Sequence, residues 1–322
     1  MKKTLIITLA LFFVFSFAFT ISASEKITIT FSHVFTTEHP VHQGVLRANE
    51  LLKERTNGRI ELKIFPSGTY ASYKDAIKAV RMGTLDMCPL DTAIDYWPAS
   101  GVLLGVYVFR DYDHWNKFKQ SAIYEEFKKT IGEKVGVKQL DLYNFGFRHV
   151  TTKNLKATTP EDFKNFKLRV VNFPPYPEAA TVLGAVGTPT PIEDVYMALK
   201  TGVTDGQENP FTQIITMKFY EVQKYLILTG HMLATSGTIM SKQKWESLSE
   251  KDQQIVEEVF SEEADYIDEL VQEQGQQRLS FLKKAGMEVI EIDKTPFMER
   301  VPLVLEKYPE WKELYYKIQE IK

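Results

Sequence analysis

Short runs of alternating apolar and polar residues trade places with longer amphipathic stretches along most of the chain. Ile27-Thr28-Ile29-Thr30-Phe31 alternates as a half-buried strand does. His39 to Asn57 carries apolar positions at helical spacing and stops at Gly58, which predicts a helix with a glycine just past its end. Arg59 to Phe65 alternates again, Tyr73 to Arg81 predicts a short helix ending at Gly83, and Leu85 to Leu90 the next strand. A longer helix over Asp113 to Ile131 and a strand over Val135 to Thr151 follow.

The second half keeps the rhythm. A capped start at Thr159-Pro160-Glu161-Asp162 precedes a strand at Lys167 to Val171. A helix runs from Pro175 to Leu183. Thr190-Pro191-Ile192-Glu193 has capping-box spacing and opens a helix that ends at Gly202. Val203 to Pro210 reads as a polar turn, with Gly206 for a close bend and Pro210 for a helix entry. An amphipathic run from Phe211 to Lys224 leads to a strand at Tyr225 to Leu228. Strands alternating with helices predict an α/β protein with helix-covered parallel sheets.

From about Ser249 to Ala285 no proline interrupts a periodic apolar pattern. Such a helix would reach about 55 Å, longer than one small domain, so it is expected to brace two. Gly275 is where it would bend or break.

Met1-Lys2-Lys3 followed by an apolar run from Leu5 to Ile21 reads as a secretory signal, with cleavage placed after Ser24. An uncleaved anchor is the alternative, because about 20 apolar residues span a bilayer. Removing residues 1–24 leaves 37 basic against 42 acidic residues, a net charge of −5, which argues against a nucleic-acid partner. Cys88 is the only thiol, so no internal disulfide can form, and it reads as a small core residue. The expected product is a soluble extracytoplasmic protein of two domains.

Catalytic and phosphate-binding motifs are missing: there is no G-x-S-x-G, no G-x-x-x-x-G-K-[ST] and no H-E-x-x-H. His33, His39 and His42 lack the spacing of a zinc site, and His39 and His42 are expected to be solvated at a helix start. No metal, cofactor or catalytic residue is assigned. Arg169, within Lys167-Leu168-Arg169-Val170-Val171, and Arg148, after Asn144-Phe145-Gly146-Phe147, are the informative cations. An arginine on a central strand is costly unless paired, and its fork matches a carboxylate. Either a structural ion pair or an anion-binding site answers that requirement.

Over essentially all of the mature chain the sequence resembles the DctP-type solute-binding subunits of TRAP (tripartite ATP-independent periplasmic) transporters. The words that carry the resemblance are Leu168-Arg169-Val170, Gly184-Ala185, Thr188-Pro189, Asp194 to Leu199, Asp205 to Pro210 and Phe219 to Tyr225, in the family's order. The resemblance implies a two-lobed periplasmic-binding-protein-like fold with a long helix spanning both lobes. Lobe 1 would comprise residues 25–146 and 234–274, and lobe 2 residues 147–233 and 275–322. It also implies a binding protein rather than an enzyme, capturing an organic acid (a dicarboxylate, a uronate or another sugar or hydroxy acid) for TRAP membrane permease subunits. Arg169 would bridge the ligand carboxylate, Arg148 reach the same group and Asn209 hydrogen-bond it. His33, Tyr73 and Asp91 are further candidates, with Phe173 and Ile192 as walls. Two departures stand out. The familiar Arg-Val-Pro is Arg169-Val170-Val171, with Pro174 and Pro175 downstream, and His33, Ser72 and Asp91 replace the Asn, Asp and Glu of sialic-acid binders. A secreted hydrolase using Glu208, or a sensing subunit for a receptor kinase, are the alternatives.

Overall fold

The computed structural model describes residues 25–322; the signal segment assigned to residues 1–24 lies outside the described residues. The first half runs β1 (Ile27–Ser32), α1 (Pro40–Arg55), β2 (Ile60–Phe65), α2 (Tyr73–Met82), β3 (Met87–Pro89), α3 (Tyr112–Lys119), α4 (Ala122–Val135) and β4 (Val137–Thr152). There follow β5 (Lys167–Val170), α5 (Tyr176–Leu183), β6 (Val186–Pro189), α6 (Val195–Thr201), β7 (Gly206–Pro210), α7 (Phe211–Thr216) and β8 (Tyr225–Ser241). The chain closes with α8 (Lys242–Ser247), α9 (Glu250–Lys284), β9 (Glu288–Ile290), α10 (Thr295–Met298), α11 (Pro302–Lys307) and α12 (Lys312–Gln319).

The strands form one path, β2-β1-β3-β8-β4-β7-β5-β6, with β9 added on β8. This corrects the expectation of purely parallel sheets. β1, β2 and β3 pair in parallel at one end and β5, β6 and β7 at the other, but the long β4 and β8 between them run antiparallel. Each parallel set needs crossover helices, whereas two strands of 16 and 17 residues can pass from one lobe to the other without any. Their pairing shifts register between Asn144 and Phe147 and between Arg148 and Val150, where one parallel set gives way to the other.

Three other expectations change. The helix at Asp113 to Ile131 is two, because Ser121 accepts from the Tyr124 amide and caps α4. The strand at Tyr225 extends to Ser241: nearly every residue of β8 is buried, so alternation gave no sign of it. The polar stretch at Val203 to Pro210 is not a surface turn, since Gly206–Pro210 is a fully buried strand between β4 and β5. A Cβ at Gly206 would sit 2.3 Å from the Thr151 carbonyl, so close strand packing, not a bend, requires the glycine. Pro210 does lead into α7.

The brace is one continuous helix. Ser249 caps α9, which runs 35 residues past Gly275 unbroken, about 52 Å. Its first part packs Val256, Val259, Phe260, Ala264 and Ile267 against Ile29, Phe31 and Val45. Its far end sets Leu282 among Val195, Leu199, Ile214 and Leu226. The helix therefore belongs to both lobes.

Candidate ligand-binding site

Arg169 lies on β5, between β6 and β7, and the residue is 2% exposed. Its Nε and Nη2 both donate to the Thr190 carbonyl, at 2.9 and 2.6 Å. That carbonyl is where Thr190 acts. Its hydroxyl turns to the Thr188 carbonyl at 3.3 Å, and α6 begins only at Val195, so the expected capping box does not form. Arg169 Nη1 is buried and has no partner among the described residues. Burial lowers the guanidinium's pKa to about 10, with Glu208 pulling it up and Arg148 pushing it down, so Arg169 remains a cation at neutral pH.

Arg148 is engaged differently. Its Nε donates to Glu208 Oε2 at 2.5 Å, and its Nη2 donates to Glu208 Oε1 at 2.8 Å and to Asn209 Oδ1 at 3.0 Å. The guanidinium also lies over the Tyr176 ring, 4.9 Å from its centre. Burial works against both charges, yet Arg148 is held as a cation, and Arg148 and then His231 pull the Glu208 carboxyl down to about 2. His231 completes the chain with Nε2 3.2 Å from Glu208 Oε2 and Nδ1 2.8 Å from Thr229 Oγ1. Glu208 is thus an ionised counter-ion that anchors Arg148, and not the acid–base group of the hydrolase alternative. Asn209, one residue on, spends its Nδ2 on Gln207 Oε1 at 2.6 Å.

The first lobe supplies the opposing wall. Asp91 follows β3, and its amide donates to the Tyr73 hydroxyl at 2.7 Å. Its carboxylate is buried beside the Ser236 hydroxyl, which serves it as a hydrogen-bond donor. Burial raises the Asp91 carboxyl to about 6, against Ser236 and Arg148, which lower it. His33 Nε2 lies 3.0 Å from His42 Nδ1, and its Nδ1 has no partner. His39 and His42 are buried, contrary to the solvated placement expected: His39 stacks on Phe35 at 4.3 Å while its Nδ1 accepts from the Val41 amide. Aromatic neighbours, which the linear sequence did not assign to them, keep water away.

A cavity of about 270 Å³ opens between Tyr73, Ile77 and Leu90 on one side and Asn172, Phe173 and Pro174 on the other. Phe173 meets Tyr176 edge-on at 5.1 Å, so this wall backs onto the Arg148 stack. Ile192 is 39% exposed and does not line this cavity. The fold therefore brings Arg148, Arg169, Asn209, Asp91, Tyr73 and Phe173 to one region, sets His33 beside α1, and leaves Ile192 at the surface. Sequence reasoning missed Tyr176, Ser236, His231 and the Thr190 carbonyl. None of them falls in a word that carried the resemblance, and Thr190 stood out only as a helix cap. Among the described residues, no group of three or more His, Cys, Asp and Glu side chains is arranged to hold a metal ion. Cys88 is a buried core thiol whose pKa burial pushes up.

The profile of bacterial extracellular solute-binding protein family 7, DctP, matches residues 31–311. The chain is 32% identical to the 2,3-diketo-L-gulonate-binding periplasmic protein YiaO of Escherichia coli K12, over 91% of this chain and 90% of that one. Its fold is similar to a TRAP periplasmic solute-binding protein of Pseudomonas putida F1 solved with bound D-glucuronate. The TM-score is 0.85 at 27% identity, over 92% of this chain and 98% of that one. A counterpart from Sulfitobacter sp. NAS-14.1 with bound β-D-galacturonate gives 0.83 at 29% identity, over 90% and 98%. Such proteins are binding subunits of transporters rather than enzymes, and act outside the cytoplasm. With two lobes and a shared long helix, the chain belongs to bacterial extracellular solute-binding protein family 7, the solute-binding subunits of TRAP transporters.

Proposed function

We propose that this protein captures a carboxylate-bearing organic acid between its lobes and hands it to TRAP membrane permease subunits. The observation that carries the reading is the unpartnered, buried Nη1 of Arg169. A cationic donor held out of water costs several kcal/mol unless an anion meets it, and a carboxylate supplies the matching geometry. Thr190 fixes the fork, Asn209 stands against Arg148, and Tyr73 holds the Asp91 backbone on the opposite wall. His33 contributes from the first strand's end, and Phe173 walls the entrance. The lobes take the limits proposed from the sequence, and closure turns about the register shifts of β4 and β8. The signal segment is removed after Ser24 on export.

A thermal-shift screen of D-glucuronate, D-galacturonate, 2,3-diketo-L-gulonate, L-malate and succinate tests this, since a ligand of the folded state raises the melting point by mass action. At least one acid is expected to do so. Calorimetry should then find that affinity lost at least a hundredfold in Arg169→Ala. Wild-type affinity in that variant would sink the assignment.

A further inference from the structure

The chain's closing stretch starts on the second lobe and ends on the first. Upstream of Pro309 it holds α5: Arg300 Nη2 donates to the Thr181 carbonyl at 3.0 Å, and Lys307 Nζ donates to Glu178 Oε1. The Tyr308 hydroxyl donates to that same oxygen at 2.8 Å. From Pro309 onward the partners lie between Pro98 and His114. Trp311 Nε1 donates to the Pro98 carbonyl at 2.8 Å, and Arg110 Nη2 donates to the Ile321 carbonyl at 2.6 Å. His114 Nε2 lies 2.9 Å from the Ile318 carbonyl, and both Trp311 and Ile318 are buried. Proline fixes its own φ, so turning of one piece against the other falls on Tyr308. Across this joint the Tyr308 and Trp311 rings stack, with centres 4.3 Å apart and planes 10° from parallel.

Each end of this tie stands behind one wall of the cavity between the lobes. Trp311 and Ile94 meet over Gly101, where a Cβ would come within 2.6 Å of one and 2.9 Å of the other, and Ile94 lines the cavity. Glu178 lies two residues beyond Tyr176 at the start of α5. Tyr176 carries Arg148 over its ring and meets Phe173, which lines the cavity from the other side. Parting the walls therefore draws Glu178 away from Pro98 with the stacked pair between them. Either the Tyr308 hydrogen bond or the stack must then give way, and each biases the lobe equilibrium by roughly two- to tenfold.

Building on the proposed two-lobed capture, we infer that the C-terminal segment is a strap between the lobes. Tyr308 and Trp311 are its positioning residues, tied to Glu178 on one side and to Pro98 on the other, and they limit how far the cavity walls part.

Distances between spin labels on the two lobes, measured by electron paramagnetic resonance without ligand, test this. Met82→Cys on the first lobe and Val203→Cys on the second carry the labels, since both positions are exposed and the native Cys88 is buried. Tyr308→Phe deletes the hydroxyl and keeps the stacked ring. It is expected to raise the longer-distance population at least about threefold, the weight of one hydrogen bond. Trp311→Ala removes the stack and its anchor together and should shift the distribution further. Should Trp311→Ala fail to fold, Tyr308→Phe carries the test, because a phenylalanine fits the space of the tyrosine ring. Lys317→Ala, on α12 but outside the tie, should leave the distances unchanged. Superimposable distributions in the wild type and Tyr308→Phe would overturn the inference, as would an equal shift in Lys317→Ala. Because no ligand is present, the two readings fail separately. Unmoved distances with binding lost in Arg169→Ala leave carboxylate capture standing without the strap. Distances that respond to Tyr308, with binding that ignores Arg169, leave the strap and remove the carboxylate assignment.

Discussion

Arg148 and Glu208 lock together through two parallel contacts, Nε to Oε2 at 2.5 Å and Nη2 to Oε1 at 2.8 Å, with both side chains almost wholly out of water. The pair converts a potentially free arginine into a scaffold and leaves Arg169 as the available cation.

Breaking the pair should therefore cost more than removing it. Glu208→Gln leaves Arg148 buried without a counter-ion, and chemical denaturation is expected to record a loss of about 3–5 kcal/mol. Arg148→Met combined with Glu208→Leu should lose much less than the two single changes summed. A single change costing under about 1 kcal/mol would mean that water already solvates the pair.

Glu263 on α9 predicts a pH dependence. Burial pushes its carboxyl up to about 8, against a hydrogen bond from Thr238 at 3.3 Å; Asp141 raises it further and Lys119 lowers it. The folded protein thus keeps a proton that the unfolded chain releases near 4.5. The sign follows: this contribution is fully favourable below about 4.5 and declines as pH rises through 8. The slope for one proton is at most about 1.4 kcal/mol per pH unit. Asp91 and Asp141, both raised to about 6, act lower in the range. The six histidines, all lowered from 6.5, oppose the trend only until the unfolded chain has released their protons. The window from about 7 to 8 therefore reports Glu263. Thermal unfolding of Glu263→Gln should be flatter across that window and higher at its top. An unaltered slope would refute the assignment.

Gly275 offers a stabilising change. A Cβ there would meet nothing within 4 Å, and the residue sits inside α9. Gly275→Ala is expected to gain about 0.5–1 kcal/mol, visible as a raised melting point, with ligand affinity unchanged. Lower stability or weaker binding would indicate that the helix bends there during closure.

Gly206→Ala should do the reverse. The new Cβ would sit 2.3 Å from the Thr151 carbonyl and 2.7 Å from the Phe166 ring. β7 is paired on both sides and cannot step away, so a loss of about 1–3 kcal/mol is expected in urea denaturation. Wild-type stability would show that the strand can shift.

Elements whose pattern is local were legible in the sequence. β1, α1, β2 and α2 fall within a residue or two of their expected limits, because alternation, helical spacing and terminal glycines are short-range signals. β8 beyond Leu228 was not legible: a strand buried on both faces loses its alternation. The histidines failed for a related reason: beside the local Phe35, what removes them from water is Phe145 and α7, which lie far along the chain.

By itself the sequence determined the exchange of strands and helices, the long brace, the missing catalytic motifs and the arginine-bearing strands, because each is written in neighbouring residues. Tertiary structure alone decided which arginine stays free. Arg148 finds its carboxylate 60 positions along the chain, and Arg169 finds only a carbonyl 21 positions away, leaving one N–H unused. A donor's availability depends on which groups the fold brings within about 3 Å of it, and that distance is set by packing between distant segments.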